Sequence, residues 1–172
     1  EHLVIGRLIR RMRISDSPRG FQSLTANVVR TSLRVETVAW VPADHFEPVL
    51  VSGEITGIEP ADFRALLPAS MKESAFVTTP SREQGVPGAF HSIRRYAVVT
   101  GGSMGWLIAA NPIDDVTLDS TELEVMQYAA SLIATQLNNA RIYADLKELL
   151  FGIIRALTAA IDAKDPYTCG HS

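Results

Sequence analysis

The residues best suited to metal or thiol chemistry stand at the far end of the sequence, in Asp165-Pro166-Tyr167-Thr168-Cys169-Gly170-His171-Ser172. There His171 offers one imidazole and Cys169 one thiol. A single imidazole does not hold a catalytic metal, because such a site takes about three protein ligands around the ion. Two further histidines stand apart: His45 falls in the turn Pro42-Ala43-Asp44-His45, and His91 follows a polar stretch rich in Pro and Gly. Arg94-Arg95 carries charge that suits a phosphate, but neighbours on a strand point to opposite faces, so at most one would enter a pocket. Asp114-Asp115 reads as a solvated turn. Gly101-Gly102-Ser103-Met104-Gly105 has the glycines of a phosphate-binding loop, yet it lacks a following Lys-Ser/Thr and leads into an apolar strand rather than a helix. No carboxylate pair or multidentate metal cluster stands at readable spacing, so catalysis within this chain is not expected.

Composition sets the frame for these residues. The chain has 172 residues, 47% of them hydrophobic, enough for one packed domain with helical extensions. A formal net charge of -3 argues against nucleic-acid binding. No apolar run approaches the ~18–20 residues that span a bilayer, and no secretory signal opens the chain. A cytoplasmic location is expected, with a membrane tether upstream of Glu1 left open. The single cysteine excludes an internal disulfide, a thiolate metal cluster and thiol-exchange catalysis.

Periodicity supplies the elements. Leu3, Ile5, Leu8, Ile9 and Met12 recur at helical spacing within residues 1–14. Ser15-Asp16-Ser17-Pro18 reads as a stop and restart, a capping side chain followed by Pro at the first helical position. The next helix should carry Phe21, Leu24, Val28 and Val29 and end near Leu33. Val35 to Val41 is β-branched and aromatic, and Phe46 to Ser52 should be its hairpin partner. A short helix is expected from Gly57-Ile58-Glu59-Pro60 through Phe63, Leu66 and Leu67, and Ala75 to Thr79 reads as a strand. Pro80 to Gly88 reads as a loop, and Ile93–Thr100 with Ser103–Asn111 as a hairpin turning on Gly101-Gly102. Thr117 to Lys164 reads as one long helix, with Asp119 or Ser120 as its cap. Met126, Ala130, Ile133, Leu137 and Ala140 form a first stripe that should pack on the sheet. Tyr143, Leu146, Leu150, Ile153, Leu157 and Ala160 form a second, displaced by about one residue, that should zip against a partner helix.

Two resemblances follow from these residues. The run Leu157-Thr158-Ala159-Ala160-Ile161-Asp162-Ala163-Lys164-Asp165-Pro166-Tyr167-Thr168-Cys169-Gly170-His171-Ser172 resembles the start of the HD-GYP family, metal-dependent phosphodiesterases that hydrolyse cyclic di-GMP. Within residues 146–172 it departs from that family's pattern at Cys169, where Arg is more usual. Ser103-Met104-Gly105-Trp106-Leu107-Ile108-Ala109-Ala110-Asn111-Pro112 resembles a strand of GAF domains, the small-molecule sensor modules of signalling proteins. Leu118 to Leu123, Ala129 to Gln136 and Asn138-Asn139-Ala140-Arg141-Ile142-Tyr143 are similar to the exit helix of that family, so the likeness covers roughly residues 15–145.

The resemblances imply an α/β (α+β) fold, a GAF-like antiparallel sheet of about five or six strands flanked by helices, with a long C-terminal exit helix. They imply an N-terminal helix at 1–14, a GAF sensor domain at 15–142, a linking coiled-coil helix at 143–164 and the start of an HD-GYP domain at 165–172. The GAF likeness places any ligand between the sheet and the segments covering it, reached by Ala39 and Val41 or by their alternates Val38 and Trp40. Trp40, Phe76, Phe90, His91 and Tyr96 are the pocket candidates, and a solid aromatic core is the competing expectation. No cyclic-nucleotide Asn-Lys…Phe…Asp-Glu set is found, and no cysteine for a bilin lies before Cys169. No cofactor is expected in the chain itself, although an unidentified small molecule fits the sensor reading. By the HD-GYP likeness, His171 is a metal ligand only in a complete output domain, which would hold divalent iron or manganese. The expected partners are a second copy, through N- and C-terminal helices including Tyr143, Leu146, Leu150, Ile153 and Leu157, and the chain's own output domain. Nucleic acid and membrane are not expected as partners. The function implied is regulation of that phosphodiesterase through the helix; the alternative is a structural dimerisation domain without a ligand.

Overall fold

A computed structural model describes residues 17–54, 57–67, 77–80, 95–113 and 120–164, with backbone alone for 77–80, 95 and 164. Helix α1, Pro18–Leu33, begins where the sequence demands: the Ser17 hydroxyl accepts from the Gly20 amide at 3.1 Å and Pro18 occupies the first turn. It ends at Arg34, whose left-handed backbone (φ 52) turns its amide onto the Arg30 carbonyl. The expected helix at 1–14 lies outside the described residues.

Strand β1, Val35–Pro42, pairs with β2, Leu50–Gly53, and with β5, Gly105–Pro112. Strand β4, Arg95–Thr100, joins β5 to β3, Val77–Pro80, giving an antiparallel five-stranded sheet in the order β2-β1-β5-β4-β3. Both faces of β1 are covered, which explains its nearly unbroken apolar run; only Glu36 is half-buried.

Three features differ from the sequence expectation. The hairpin partner of β1 starts at Leu50, not Phe46, and Phe46 is 98% exposed. Asp44 closes a local turn by accepting from the Phe46 amide at 2.9 Å, and Pro48 has no amide to give a ladder. The turn on Gly101-Gly102 is longer than two residues. It is a 3-10 turn, Gly102–Met104, held by the Thr100 hydroxyl, which accepts from the Gly102 amide at 3.0 Å. The short helix is also of 3-10 type, Pro60–Leu66, with the Glu59 amide donating to the Asp62 carboxylate at 2.8 Å.

Helix α2 is continuous from Ser120 to Lys164; the expected cap at Asp119 lies outside the described residues. The contacts divide the chain into a unit ending at Leu137 and a second unit, Asn138–Ser172. In the first, Met126, Ala129, Ala130 and Ile133 bury completely in a cluster with Phe21, Ala26, Val29 and Leu33 of α1 and Val38, Trp40, Ala97, Val99, Leu107 and Ala109 of the sheet. In the second, every residue from Arg141 to Ala163 is exposed.

Candidate functional site

The register of the strands builds a second apolar layer on the other sheet face. Thr37 lies opposite Ala110, and Ala110 opposite Tyr96; the next row is Ala39, Ile108 and Val98. Directly opposed residues share a face, so these rows form one wall. Val49, Phe63 and Leu66 cover it and are buried with Ala39, Val41, Tyr96, Val98, Ile108 and Ala110. Alanine at 39 and 110 keeps the centre of the wall low.

Arg64 holds the cover in place. Its guanidinium donates to the carbonyls of Pro42 at 2.8 Å, Asp44 at 3.1 Å and Glu47 at 2.7 Å, joining the 3-10 segment to the β1–β2 connection. Three bonds from one charged, planar donor fix the turn more firmly than neutral bonds would. Within the wall, the Thr37 hydroxyl is wholly buried and has no hydrogen-bond partner among the described residues. A buried hydroxyl without a partner is a natural anchor for a polar atom brought against an otherwise apolar wall.

Of the five pocket candidates, Trp40 and Tyr96 lie among the described residues, and they stand on opposite faces of the sheet. Tyr96 lies in the covered layer, but Trp40 belongs to the opposite cluster, beneath α1 and α2. The reason is strand alternation: Ala39 and Val41 take the covered face, so Val38 and Trp40 take the other. Trp40 is instead a helix-side core residue whose indole N–H has no partner among the described residues. Phe76, Phe90 and His91 lie outside the described residues, as do Arg94, Cys169 and His171. His45 is exposed in its turn. Tyr143, Leu146, Leu150, Ile153 and Leu157 are all exposed on α2.

Sequence reasoning missed Thr37 and Arg64. Thr37 sits in a β-branched run where any residue suits a strand, and only its phase against Tyr96 distinguishes it. Arg64 bonds carbonyls 17 to 22 residues away, a relationship with no local signature. Among the described residues, no group of three or more His, Cys, Asp or Glu could hold a metal ion, and no helix is long and apolar enough to cross a membrane.

No family model matches the chain, and no curated protein matches it. Solved structures do. The phycoerythrobilin-bound GAF domain from a cyanobacterial phytochrome is 15% identical, with 83% of this chain and 97% of that chain covered at a TM-score of 0.60. A far-red absorbing dark state with bound biliverdin IXa is 14% identical, covering 80% of this chain and 99% of that one at 0.60. The GAF domain from an Acinetobacter phosphoenolpyruvate-protein phosphotransferase is 10% identical, covering 83% and 95% at 0.57. At such low identities the likeness establishes the fold: an antiparallel GAF-type sheet with helices and a long C-terminal helix.

Proposed function

We propose that this chain is a regulatory sensor module. It self-associates through helices that include the second half of α2 and controls a cytoplasmic HD-GYP phosphodiesterase acting on cyclic di-GMP. The observation that carries this reading is the continuity of α2, one helix from residues buried beneath the sheet to an exposed apolar stripe. A small molecule held between the wall of Thr37, Ala39, Tyr96 and Ala110 and its Phe63–Leu66 cover would change regulation only through unequal affinity for two arrangements of the paired helices. Two solved structures of this fold hold a bilin, and Cys169 is the one thiol available here. The chain itself takes no part in hydrolysis; any divalent metal belongs to the output domain.

Native mass spectrometry of the purified chain tests sensing. Added mass that is lost on denaturation supports a ligand, whereas a clean spectrum together with no thermal shift across a bilin and nucleotide panel favours a purely structural dimerisation domain. Substituting Leu146→Lys and Ile153→Lys tests self-association: the assembly should fall to monomers in sedimentation, and an unchanged mass would remove this helix from the interface. Incubation with cyclic di-GMP and manganese should give no turnover.

A further inference from the structure

The covered sheet face combines a low place, an unsatisfied polar group and a lack of charge. Thr37, Ala110 and Tyr96 stand in one row across β1, β5 and β4, and Ala39 and Ile108 stand side by side in the next. Ala39 and Ala110 are therefore diagonal neighbours, and their methyl groups leave low ground bordered by Thr37, Ile108 and Tyr96. The Thr37 hydroxyl at its border is 0% exposed and has no hydrogen-bond partner among the described residues. A hydroxyl both donates and accepts, so one alcohol, amide or carbonyl group satisfies it.

Charge is what this layer lacks. The described residues bury Gln22, Thr25, Thr37 and Asn111, but no Asp, Glu, Lys or Arg. Arg64, the one cation of the 3-10 cover, is committed to the carbonyls of Pro42, Asp44 and Glu47. Glu36 alternates to the other sheet face, where its carboxylate accepts from the Asn111 side-chain amide at 2.7 Å. An anion set against Thr37 would exchange its water for one neutral hydroxyl, and stripping water from an unpaired charge costs far more than that bond returns. A neutral molecule gives up only apolar surface and one polar group. We infer that this wall takes an uncharged, mainly apolar small molecule whose one hydrogen-bonding group meets the Thr37 hydroxyl, and that it rejects carboxylates and phosphates. Bilins, with their carboxylates, and nucleotides are thereby excluded. The inference rests on the sensor reading proposed above and names its class of ligand.

Probes matched in shape but not in charge decide it: benzamide with benzoate, and 2-naphthamide with 2-naphthoate. Each is titrated calorimetrically into the intact 172-residue chain at about pH 7. At least one amide should bind, and its carboxylate should bind about 100-fold or more weakly, through its small uncharged fraction. From about pH 7 to about pH 6 that fraction grows about 10-fold, and the apparent affinity of the carboxylate should grow with it while the amide's stays constant. Thr37→Val should weaken the amide about 5-fold or more, whereas Thr37→Ser, which keeps the hydroxyl, should largely retain it. An unchanged near-ultraviolet spectrum from the buried Trp40 certifies that both variants are folded. Carboxylate binding as tight as the amide's would overturn the uncharged class and leave the sensor reading standing. Full amide affinity in Thr37→Val would overturn the anchor. Binding of neither pair would overturn the assignment of this wall, while the sensor reading is decided separately, by added mass in the native spectra.

Discussion

The indole of Trp40 lies so close to Gly101 that a methyl group there would stand 2.5 Å from Trp40 Cη2 and 3.1 Å from the Ala130 carbonyl oxygen. Gly101 has φ -100, which any residue can adopt, so its glycine is required by space rather than by backbone angle. Gly101→Ala should therefore destabilise by about 1–3 kcal/mol, the usual range for overpacking. Urea melts check this, and a double-mutant cycle isolates the cause. In a Trp40→Phe background, which lacks the offending ring atoms, the same substitution should lose most of its effect. An equal loss in both backgrounds would place the strain elsewhere.

Arg64 makes a different kind of prediction, because its three carbonyl partners lie at the end of β1 and in the connection that follows it. Arg64→Met keeps the aliphatic stem but leaves the Pro42, Asp44 and Glu47 carbonyls to water. A loss of about 1–3 kcal/mol is expected for charge-assisted bonds of this type. Hydrogen exchange should accelerate at Ala43–Glu47 before it does so in β1. Uniform acceleration across the sheet would mean that Arg64 supports the whole fold rather than the turn.

The fold was legible because its signals are periodic or local. Ser17-Pro18 marks the start of α1, the β-branched run of Val35–Val41 marks β1, and alternating threes and fours mark α2. What escaped was phase. Periodicity at Val38–Val41 shows that two faces exist but not which face meets α1 and which meets Phe63, so residue type groups Trp40 with Tyr96 although the sheet separates them. The side chain of Phe46 suits a strand, whereas the Asp44 turn and Pro48 act through backbone amides. For the site, apolar wall residues are readable in type, but an unpartnered hydroxyl such as Thr37 becomes visible only once its neighbours are placed.

Thr37 separates a ligand anchor from an ordinary core residue. Its hydroxyl is buried without a partner, so Thr37→Val removes an unsatisfied group and retains a β-branched shape. Without ligand, the variant should be as stable as the parent or up to about 1 kcal/mol more stable. Should a ligand be recovered with the native chain, the variant should hold it at least 5-fold more weakly, on the order of one lost hydrogen bond. Unchanged binding, read by titration calorimetry, would exclude Thr37 from the site.

Helix phase can be tested in a chain that carries the proposed phosphodiesterase after Ser172. Inserting one alanine after Asp145 rotates everything downstream by ~100° and advances it ~1.5 Å, whereas seven inserted residues rotate it by only ~20° while adding ~10.5 Å. If α2 transmits its state as a rigid helix, regulation of cyclic di-GMP hydrolysis should be lost or inverted with one residue and largely kept with seven. Sedimentation of each insertion variant shows whether assembly survives, so that a regulatory defect is not mistaken for dissociation. A response that decays smoothly with inserted length, indifferent to rotation, would identify a tether in place of a rigid relay and would remove Leu146–Leu157 from the signalling path.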